Sequence, residues 1–424
     1  MRQSHYRTKA ITLVFSLEKN HPSVILTFMN QIEKTKELLE RGVEEIIGKD
    51  ELIKKLESGE TLRVKLGIDP TSPDIHLGRG VQLLKLRDFQ ELGHQVVFLI
   101  GNFTAEIGDT SDKESERPML TTEDVENNLK TYLEQAAKII DLEKTEIVYN
   151  KEWLSKLGYQ EIGKQADAFS LNEFISRDNI KKRLDAGKRV SLRELLYPLM
   201  QGYDSVVVKA DVELGGTDQR FNILAGRDLQ KLYGQDPQSI LLAPIIEGLD
   251  GRKMSSSYGN GVFFFDTPQD MFGKIMSLHD DFIIKYFQYF TRVDQETIKK
   301  FDNQLVAGEN PKNIKIELAK EIVRMYHTSQ DAEDAQKSWE ATFSQAGFPE
   351  DAEVVEIDSG TELSAILIDN GFTKSKTEFR RFLENKSLKH FVNDDFEVIE
   401  EDLKVTENMK VKVGKKRFVV ISVK

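Results

Sequence analysis

LRVKLGIDPTSPDIHLG, residues 62–78, is the stretch on which the fold turns. Leu62–Ile68 has the length and the Val/Leu/Ile content of a short buried strand. It stops at Asp69-Pro70, because the residue before a proline is pushed out of the helical region. Helical spacing resumes at His76 and runs to about Leu92, and a second apolar run, VVFLIG (Val96–Gly101), follows it. A run that is apolar on both faces belongs in a parallel sheet covered by helices on each side. The same order recurs through KTEIVYN (Lys144–Asn150), SVVVKADVELGG (Ser205–Gly216) and SILLAPII (Ser239–Ile246). This order predicts an α/β, Rossmann-like, doubly wound parallel sheet.

Working outward, the opening segment from Met29 has Leu39, Val43, Ile46 and Ile47 at helical spacing, and the sheet domain is expected to occupy 29–260. Residues 1–28 are net positive and carry no such pattern. They are expected to be a disordered extension, with the fold, and even translation, starting near Met29. Past Asn260 the helical spacing continues without strands, which predicts an all-α domain over 261–344. An acidic linker with Gly347 and Pro349 is expected over 345–360, and a small α+β tail over 361–424. That tail ends in VKVGKKRFVVISV, apolar at every second residue around a Gly-Lys turn, the pattern of a hairpin.

Composition narrows the chemistry. A chain of 424 residues without cysteine forms no disulfide, thiolate nucleophile or cysteine-based zinc site. Its seven histidines show no metal-ligand spacing, so no metal site is expected. The net charge of −12 argues against a general polyanion binder, and any nucleic-acid contact must be local. No apolar run approaches the roughly 20 residues of a membrane span. A cytoplasmic protein with no membrane partner is the expectation.

Three segments carry candidate chemistry. In Gly67–Gly78 a strand end and a proline-rich turn deliver His76 and Gly78 to a helix N-terminus, where free N–H groups and the helix dipole attract phosphate. In GRKMSSS (Gly251–Ser257) a lysine among hydroxyls can follow charge as it develops on phosphates. In LGGTDQ (Leu214–Gln219) a strand ends in two glycines and three polar side chains. Alone, each is an ordinary turn, a solvated loop or a capped strand end.

Together, and in this order, they resemble the class I aminoacyl-tRNA synthetases. His76-Leu77-Gly78 matches the first three positions of that class's His-Ile-Gly-His signature, and Lys253-Met254-Ser255-Ser256-Ser257 its Lys-Met-Ser-Lys-Ser signature. GIDPTSPDIHLG, TAEIGD (Thr104–Asp109), YPLMQGYD (Tyr197–Asp204) and LGGTDQ resemble the tyrosyl-tRNA synthetase family. The tail, with TKSKTEFRRFLENKSL, is similar to the S4 RNA-binding domain that ends many bacterial tyrosyl enzymes. The resemblance implies ATP-dependent charging of tRNA(Tyr) with L-tyrosine by a homodimer, Mg²⁺ arriving with ATP.

The resemblance also implies roles. Asp109, Tyr197 and Gln201 match positions that hold the tyrosine ammonium, Asp204 the acceptor of the phenol, and Gln219 a neighbour of the carboxylate. Gly67, Asp69, Leu77, Gly78, Arg79, Gly216 and Asp218 match the nucleotide side. Thr71, His76, Lys253, Ser255 and Ser256 match positions that act on the phosphates in the transition state. Lys181, Lys182 and Arg183 lie in a basic run near the expected acceptor-stem side. Lys374, Lys376, Arg380 and Arg381, with Lys415, Lys416 and Arg417, are the expected RNA contacts of the tail.

Three positions depart from the family pattern. Arg79 replaces the last histidine of the first signature. Ser256 replaces the second lysine of the other, so its charge must come from Arg252 or from a monovalent cation such as K⁺. Lys65 stands where a tyrosine hydroxyl often meets the substrate phenol. A tryptophanyl enzyme of the same class and a catalytically impaired RNA-binding paralogue are the alternatives.

Overall fold

The computed structural model describes residues 33–111, 119–344, 352–392, 395–414 and 417–424. The chain divides after Glu333 into two compact units. The expected extension over 1–28 and the expected start at Met29 lie outside the described residues.

The first unit is built on a six-stranded sheet. Its elements are β1 (Glu45–Ile47), β2 (Arg63–Ile68), α1 (Leu77–Glu91), β3 (Gln95–Ile100), β4 (Thr145–Tyr149), α2 (Leu192–Val208), β5 (Val212–Gly216), α3 (Arg220–Leu232) and β6 (Ser239–Ala243). The spatial order is β1-β6-β5-β2-β3-β4, with β2 to β6 parallel and β1 antiparallel on β6. Every residue of β5 and β6 is buried, as a sheet covered on both faces requires. The expected doubly wound sheet is therefore present. Its strand order reverses between β2 and β5, where β2 pairs onward with β3 and β5 with β6. Ligands of such sheets bind in the crevice at that reversal, beyond the carboxyl ends of the strands.

The structure corrects several sequence expectations. The helical spacing expected through Leu39, Val43, Ile46 and Ile47 does not hold as one helix: β1 interrupts it, with Gly42 and Gly48 at φ 68° and 74° turning the chain into and out of the strand. SVVV (Ser205–Val208) is the last turn of α2 rather than the start of a strand. Burial of Val206 and Val208 outweighs the strand preference of β-branched residues there, and Lys209 ends the helix at φ 50°. The helices Pro268–Met276, Ile283–Phe290, Gln295–Val306 and Pro311–Tyr326 belong to the same unit as the sheet, not to a separate domain. The ring of Tyr326 packs 4.5 Å from that of Phe264, and Arg41 donates to the carbonyl oxygens of Phe287, Gln288 and Thr291.

The second unit carries a five-stranded sheet in the order Asp395–Val398, Leu388–Val392, Met409–Val413, Arg417–Val423, Glu353–Ile357. The predicted hairpin forms, with Val413 opposite Arg417. The expected linker is shorter than 345–360, because Glu353–Ile357 pairs parallel to the last strand and buries Val355 and Ile357. Helices Leu363–Asp369 and Lys376–Glu384 supply the rest of its core, including Leu363, Ile366, Leu367 and Phe379.

Arg183 is another correction. It was expected on an RNA-facing surface, but it is buried and ion-paired with Glu194, its Nη2 donating to Oε1 at 3.0 Å. Glu194 also closes the capping box of α2 with Ser191 and accepts from Thr110 at 2.8 Å. The pair thus ties helix Asp178–Asp185 to α2 and to the loop that follows Asp109. Breaking a buried pair leaves an uncompensated charge, so Arg183→Met should cost about 3–5 kcal/mol of stability. Lys182→Ala, at an exposed neighbour, should stay within about 0.5 kcal/mol. Denaturant midpoints for the two variants check this; equal midpoints would show that the pair does not hold the fold.

Candidate active site

β2 and β5 pair through Lys65↔Glu213 and Leu66↔Leu214, where their register ends. Beyond it the strands part, and a cleft of about 680 Å³ opens between their carboxyl ends. Gly67 and Asp69 come from the end of β2, Gly215 and Gly216 from the end of β5. His76, Gly78 and Arg79 come from the start of α1, and Tyr197, Gln201 and Asp204 from one face of α2. Thr71, Asp109, Asp218, Gln219, Lys253, Ser255 and Ser256 also line it. The residues matched to tyrosine and to ATP thus meet in one cleft, with one exception. Leu77 is fully buried in the core beneath it.

The floor is set by Asp204. This carboxylate is only 2% exposed and accepts hydrogen bonds from the Trp153 indole at 2.8 Å and the Asn150 amide at 3.2 Å. Burial pushes its pKa up to about 7, with the Lys65 ammonium as the leading opposing influence. Asn150 also donates to Thr104 Oγ1 at 2.9 Å, and Thr104 in turn donates to Asp69 Oδ1 at 2.7 Å. Asp69 accepts a second bond from the Tyr197 hydroxyl at 2.7 Å, and burial raises its pKa to about 6. Asp109 sits across the cleft, accepting from Gln219 at 2.8 Å and from Ser111 Oγ at 2.6 Å.

The opposite end is arranged around phosphate-type chemistry. His76 caps the start of α1, and its pKa is pushed down to about 3 by burial and by the charges of Arg79 and Lys253. It is therefore neutral at physiological pH, and its buried Nδ1 has no hydrogen-bond partner among the described residues. Arg79 does not take the role of a second histidine: its Nη1 donates to the Tyr132 hydroxyl at 3.1 Å and to the Asp69 carbonyl at 3.4 Å. Lys253 Nζ lies 3.0 Å from Asp218 Oδ2. The Ser72 and Ser256 hydroxyls approach to 3.4 Å, which closes the signature loop over the proline turn. The Arg252 guanidinium is paired with Asp250 and lies 4.7 Å from the centroid of the Tyr258 ring, so its charge is shared with a carboxylate.

Several contributors escaped the sequence reading. Asn260 staples the signature loop: its amide donates to Asp250 Oδ1 at 2.7 Å and to the Lys253 carbonyl at 3.1 Å, and it accepts from Ser255 N at 3.0 Å. Asn150, Trp153 and Glu213 lie far from the signatures in sequence, and only the sheet order brings them to the floor. Gly101 is the fifth. A Cβ there would sit 2.0 Å from Asp69 Oδ1 and 2.4 Å from Thr104 Oγ1.

Of the RNA expectations, Lys181, Lys182, Lys374, Lys376, Arg380 and Arg381 are all exposed. Arg417 is turned inward, donating to the Phe372 carbonyl, and Lys415 and Lys416 lie outside the described residues.

The crowding at Gly101 gives a test of Asp69. Gly101→Ala must displace that carboxylate, and ATP affinity measured by calorimetry should fall about tenfold or more, the worth of a charged hydrogen bond. Gly163→Ala, with nothing within 4 Å of the new Cβ, should bind ATP as the parent does. Unchanged ATP affinity in Gly101→Ala would remove Asp69 from the nucleotide side.

Comparison with known proteins agrees with this geometry. Residues 57–344 match the family model described as tRNA synthetases class I (W and Y). The tyrosine--tRNA ligase of Carboxydothermus hydrogenoformans is 43% identical over 408 residues, covering 93% of this chain and 98% of that protein. Tyrosine--tRNA ligase 2 of Vibrio parahaemolyticus is 45% identical over 362 residues, covering 85% and 92%. Among solved structures, tyrosyl-tRNA synthetase from Archaeoglobus fulgidus complexed with L-tyrosine superposes with a TM-score of 0.58 at 25% identity, covering 72% of this chain and 99% of that one. A C-terminally truncated mitochondrial tyrosyl-tRNA synthetase from Aspergillus nidulans shares the fold, with a TM-score of 0.62 at 20% identity, covering 73% and 94%. With the signatures, the cleft at the strand-order reversal and these relatives in agreement, the chain belongs to the class I tRNA synthetases, in the tyrosyl-tRNA synthetase family.

Proposed function

We propose that the protein activates L-tyrosine with ATP and transfers it to the 3′ end of tRNA(Tyr). In the first step a tyrosine carboxylate oxygen attacks the α-phosphorus of ATP. The bond from that phosphorus to the bridging oxygen breaks, and pyrophosphate leaves with Mg²⁺. No protein nucleophile and no proton transfer are needed, so positioning and electrostatics carry the step. In the second step a hydroxyl of the terminal ribose of the tRNA attacks the tyrosyl carbonyl carbon, the bond from that carbon to the AMP phosphate oxygen breaks, and AMP leaves as the hydroxyl proton passes to its phosphate.

The observation that carries this reading is the buried Asp204 carboxylate at the cleft floor, its two oxygens held by Trp153 and Asn150. Placed there, it accepts the substrate phenol. Phenylalanine would leave it without that partner, and sites of this type reject the missing hydroxyl by roughly four orders of magnitude or more, a figure that comes from this enzyme family itself. Tyr197, Gln201 and Asp109 hold the ammonium, and Gln219 neighbours the carboxylate. Asp69, Gly216 and Asp218 face the nucleotide and its ribose. Neutral His76, Thr71 and Lys253 face the phosphates, Lys253 exchanging Asp218 for phosphate oxygens as charge builds there. With Arg252 paired to Asp250, a monovalent cation such as K⁺ is the favoured source of the charge that Ser256 lacks. Mg²⁺ arrives with the nucleotide.

The tRNA contacts fall to exposed Lys181 and Lys182 and, in an S4-like second unit, to Lys374, Lys376, Arg380 and Arg381. A homodimer follows from the resemblance to the family, and the exposed Leu192 and Leu196, one turn apart on α2, are a surface it could cover. The compartment is that of translation, the cytoplasm. No helix among the described residues is long and apolar enough to cross a membrane.

ATP–pyrophosphate exchange with tyrosine, phenylalanine and tryptophan side by side tests the assignment, with and without K⁺. Tyrosine alone should support exchange. Asp204→Asn should lower the tyrosine-over-phenylalanine ratio of kcat/KM by at least about 100-fold while leaving the KM for ATP unchanged. An equal loss for both amino acids would remove Asp204 from the phenol, and exchange with tryptophan would move the substrate.

A further inference from the structure

Beneath Asp204 lies a second charged group that the two signatures do not account for. Lys65 and Glu213 face each other across the β2–β5 register, their side chains 0% and 1% exposed, with Nζ 3.0 Å from Oε1. Lys65 also donates to Ser205 Oγ at 2.8 Å and to the Gln201 carbonyl at 3.2 Å. Glu213 accepts from Ser205 Oγ at 2.8 Å and from the amides of Gln201 and Gln238, the Gln201 bond being 3.2 Å long. Gly226 leaves room for this arrangement, since a Cβ there would meet Gln238 Nε2 at 2.7 Å and Ser205 Oγ at 3.1 Å.

A buried ion pair in the middle of an apolar sheet is a poor device for stability. Apolar residues of the same volume commonly do as well or better, because both ions must give up water. Its place explains it better. Lys65, Gln201 and Asp204 all line the cleft, and Ser205, which bridges the pair, directly follows Asp204 in α2.

We propose that Lys65 and Glu213 are specificity-determining positioning residues: their ion pair sets the charge at the cleft floor, so that Asp204 meets the substrate phenol as an acceptor. Lys65 thereby does through Asp204 what a second hydroxyl would do by direct contact. The inference rests on the assignment of Asp204 to the phenol. The groups that face Asp204 are few. Lys65 comes from β2, Glu213 from β5, Tyr197 from its own helix, and the uncharged donors Asn150 and Trp153 from the segment after β4. Asp69, hydrogen-bonded to Tyr197, and Asp109 also act on that tyrosine. Lys65 favours the carboxylate and Glu213 opposes it, so the two have opposite effects on the same proton.

The test is the ratio of kcat/KM for tyrosine over phenylalanine in ATP–pyrophosphate exchange, followed against pH. Titrations of ATP and of the amino-acid backbone cancel in that ratio. In the parent the ratio should fall as pH drops through about 7, where Asp204 gains its proton. Lys65→Met should move this limb up by about one pH unit, and Glu213→Gln should move it down by a similar amount. At pH 7 the lysine variant should therefore discriminate about fivefold less well, with the KM for ATP unchanged. A merely structural pair would lower activity without moving the limb, or would move it the same way in both variants; either result overturns the proposal. Glu213→Gln keeps the volume and most hydrogen bonds, so it decides the matter should Lys65→Met not fold. Asp204→Asn separates the two levels. A limb that persists in it means the phenol assignment is wrong, whereas a limb that disappears in it yet stays fixed in the pair variants means the pair is not involved.

Discussion

The parting of β2 and β5 beyond Leu66 and Leu214 is the constraint on which the rest of the structure depends. Two neighbouring parallel strands whose connections run to opposite sides leave a crevice at their carboxyl ends that no helix fills. Everything chemical in the first unit is placed relative to that crevice. The end of β2 gives Gly67 and Asp69, and the turn after it gives the α1 N-terminus with His76. The end of β5 gives Gly216 and, in the turn that follows, Asp218 and Gln219. The loop after β6 returns Lys253 to the same opening. Glycine is required where these ends crowd: a Cβ at Gly216 would lie 2.4 Å from Asp218 Oδ1.

A crevice in an apolar sheet needs polar groups, and polar groups there are expensive unless paired. The protein meets this by linking them. Asn150 donates to both Thr104 and Asp204, so the carboxylates on the phenol side and the nucleotide side are held through one amide. The Lys65–Glu213 pair shares Ser205 between its charges. Arg183–Glu194 anchors α2 from the other end, through Thr110 next to Asp109. Each group is thus fixed by donors whose own positions are fixed, which is what electrostatic preorganisation requires. Burial acts on both ends of the cleft: it raises the Asp204 and Asp69 carboxyls, and it keeps the histidine on the phosphate side neutral.

Much of this was legible in the sequence, and what was not has physical reasons. The runs of β3 and β6 declared themselves because a strand buried on both faces is almost continuously apolar, and β2 did so by its length and the Asp-Pro stop after it. α1 was legible through its proline turn and its His-x-Gly start. By contrast, β1 is three residues long and sits inside a helical pattern, and the Val206–Val208 run looks like a strand although burial keeps it in α2. The site residues lying in short motifs were recognisable because spacing survives in one dimension. Glu213, Asn150, Trp153, Asn260 and Gly101 were not, since their roles come from strand order and from loop closure. Arg183 and Arg252 show the opposite failure. A basic residue in a basic run reads as a free charge, and only the fold reveals that Glu194 and Asp250 already hold them.

The central claim is that the crevice holds tyrosine with its phenol on Asp204 and its carboxylate toward the nucleotide. A crystal structure of the protein with a non-hydrolysable tyrosyl-adenylate analogue tests it most directly. The account predicts the phenol oxygen within hydrogen-bond distance of the Asp204 carboxylate, the ammonium among Asp109, Tyr197 and Gln201, and the ribose beside Asp218. An analogue bound with its aromatic ring toward His76 and Lys253, or outside the cleft between β2 and β5, would contradict it.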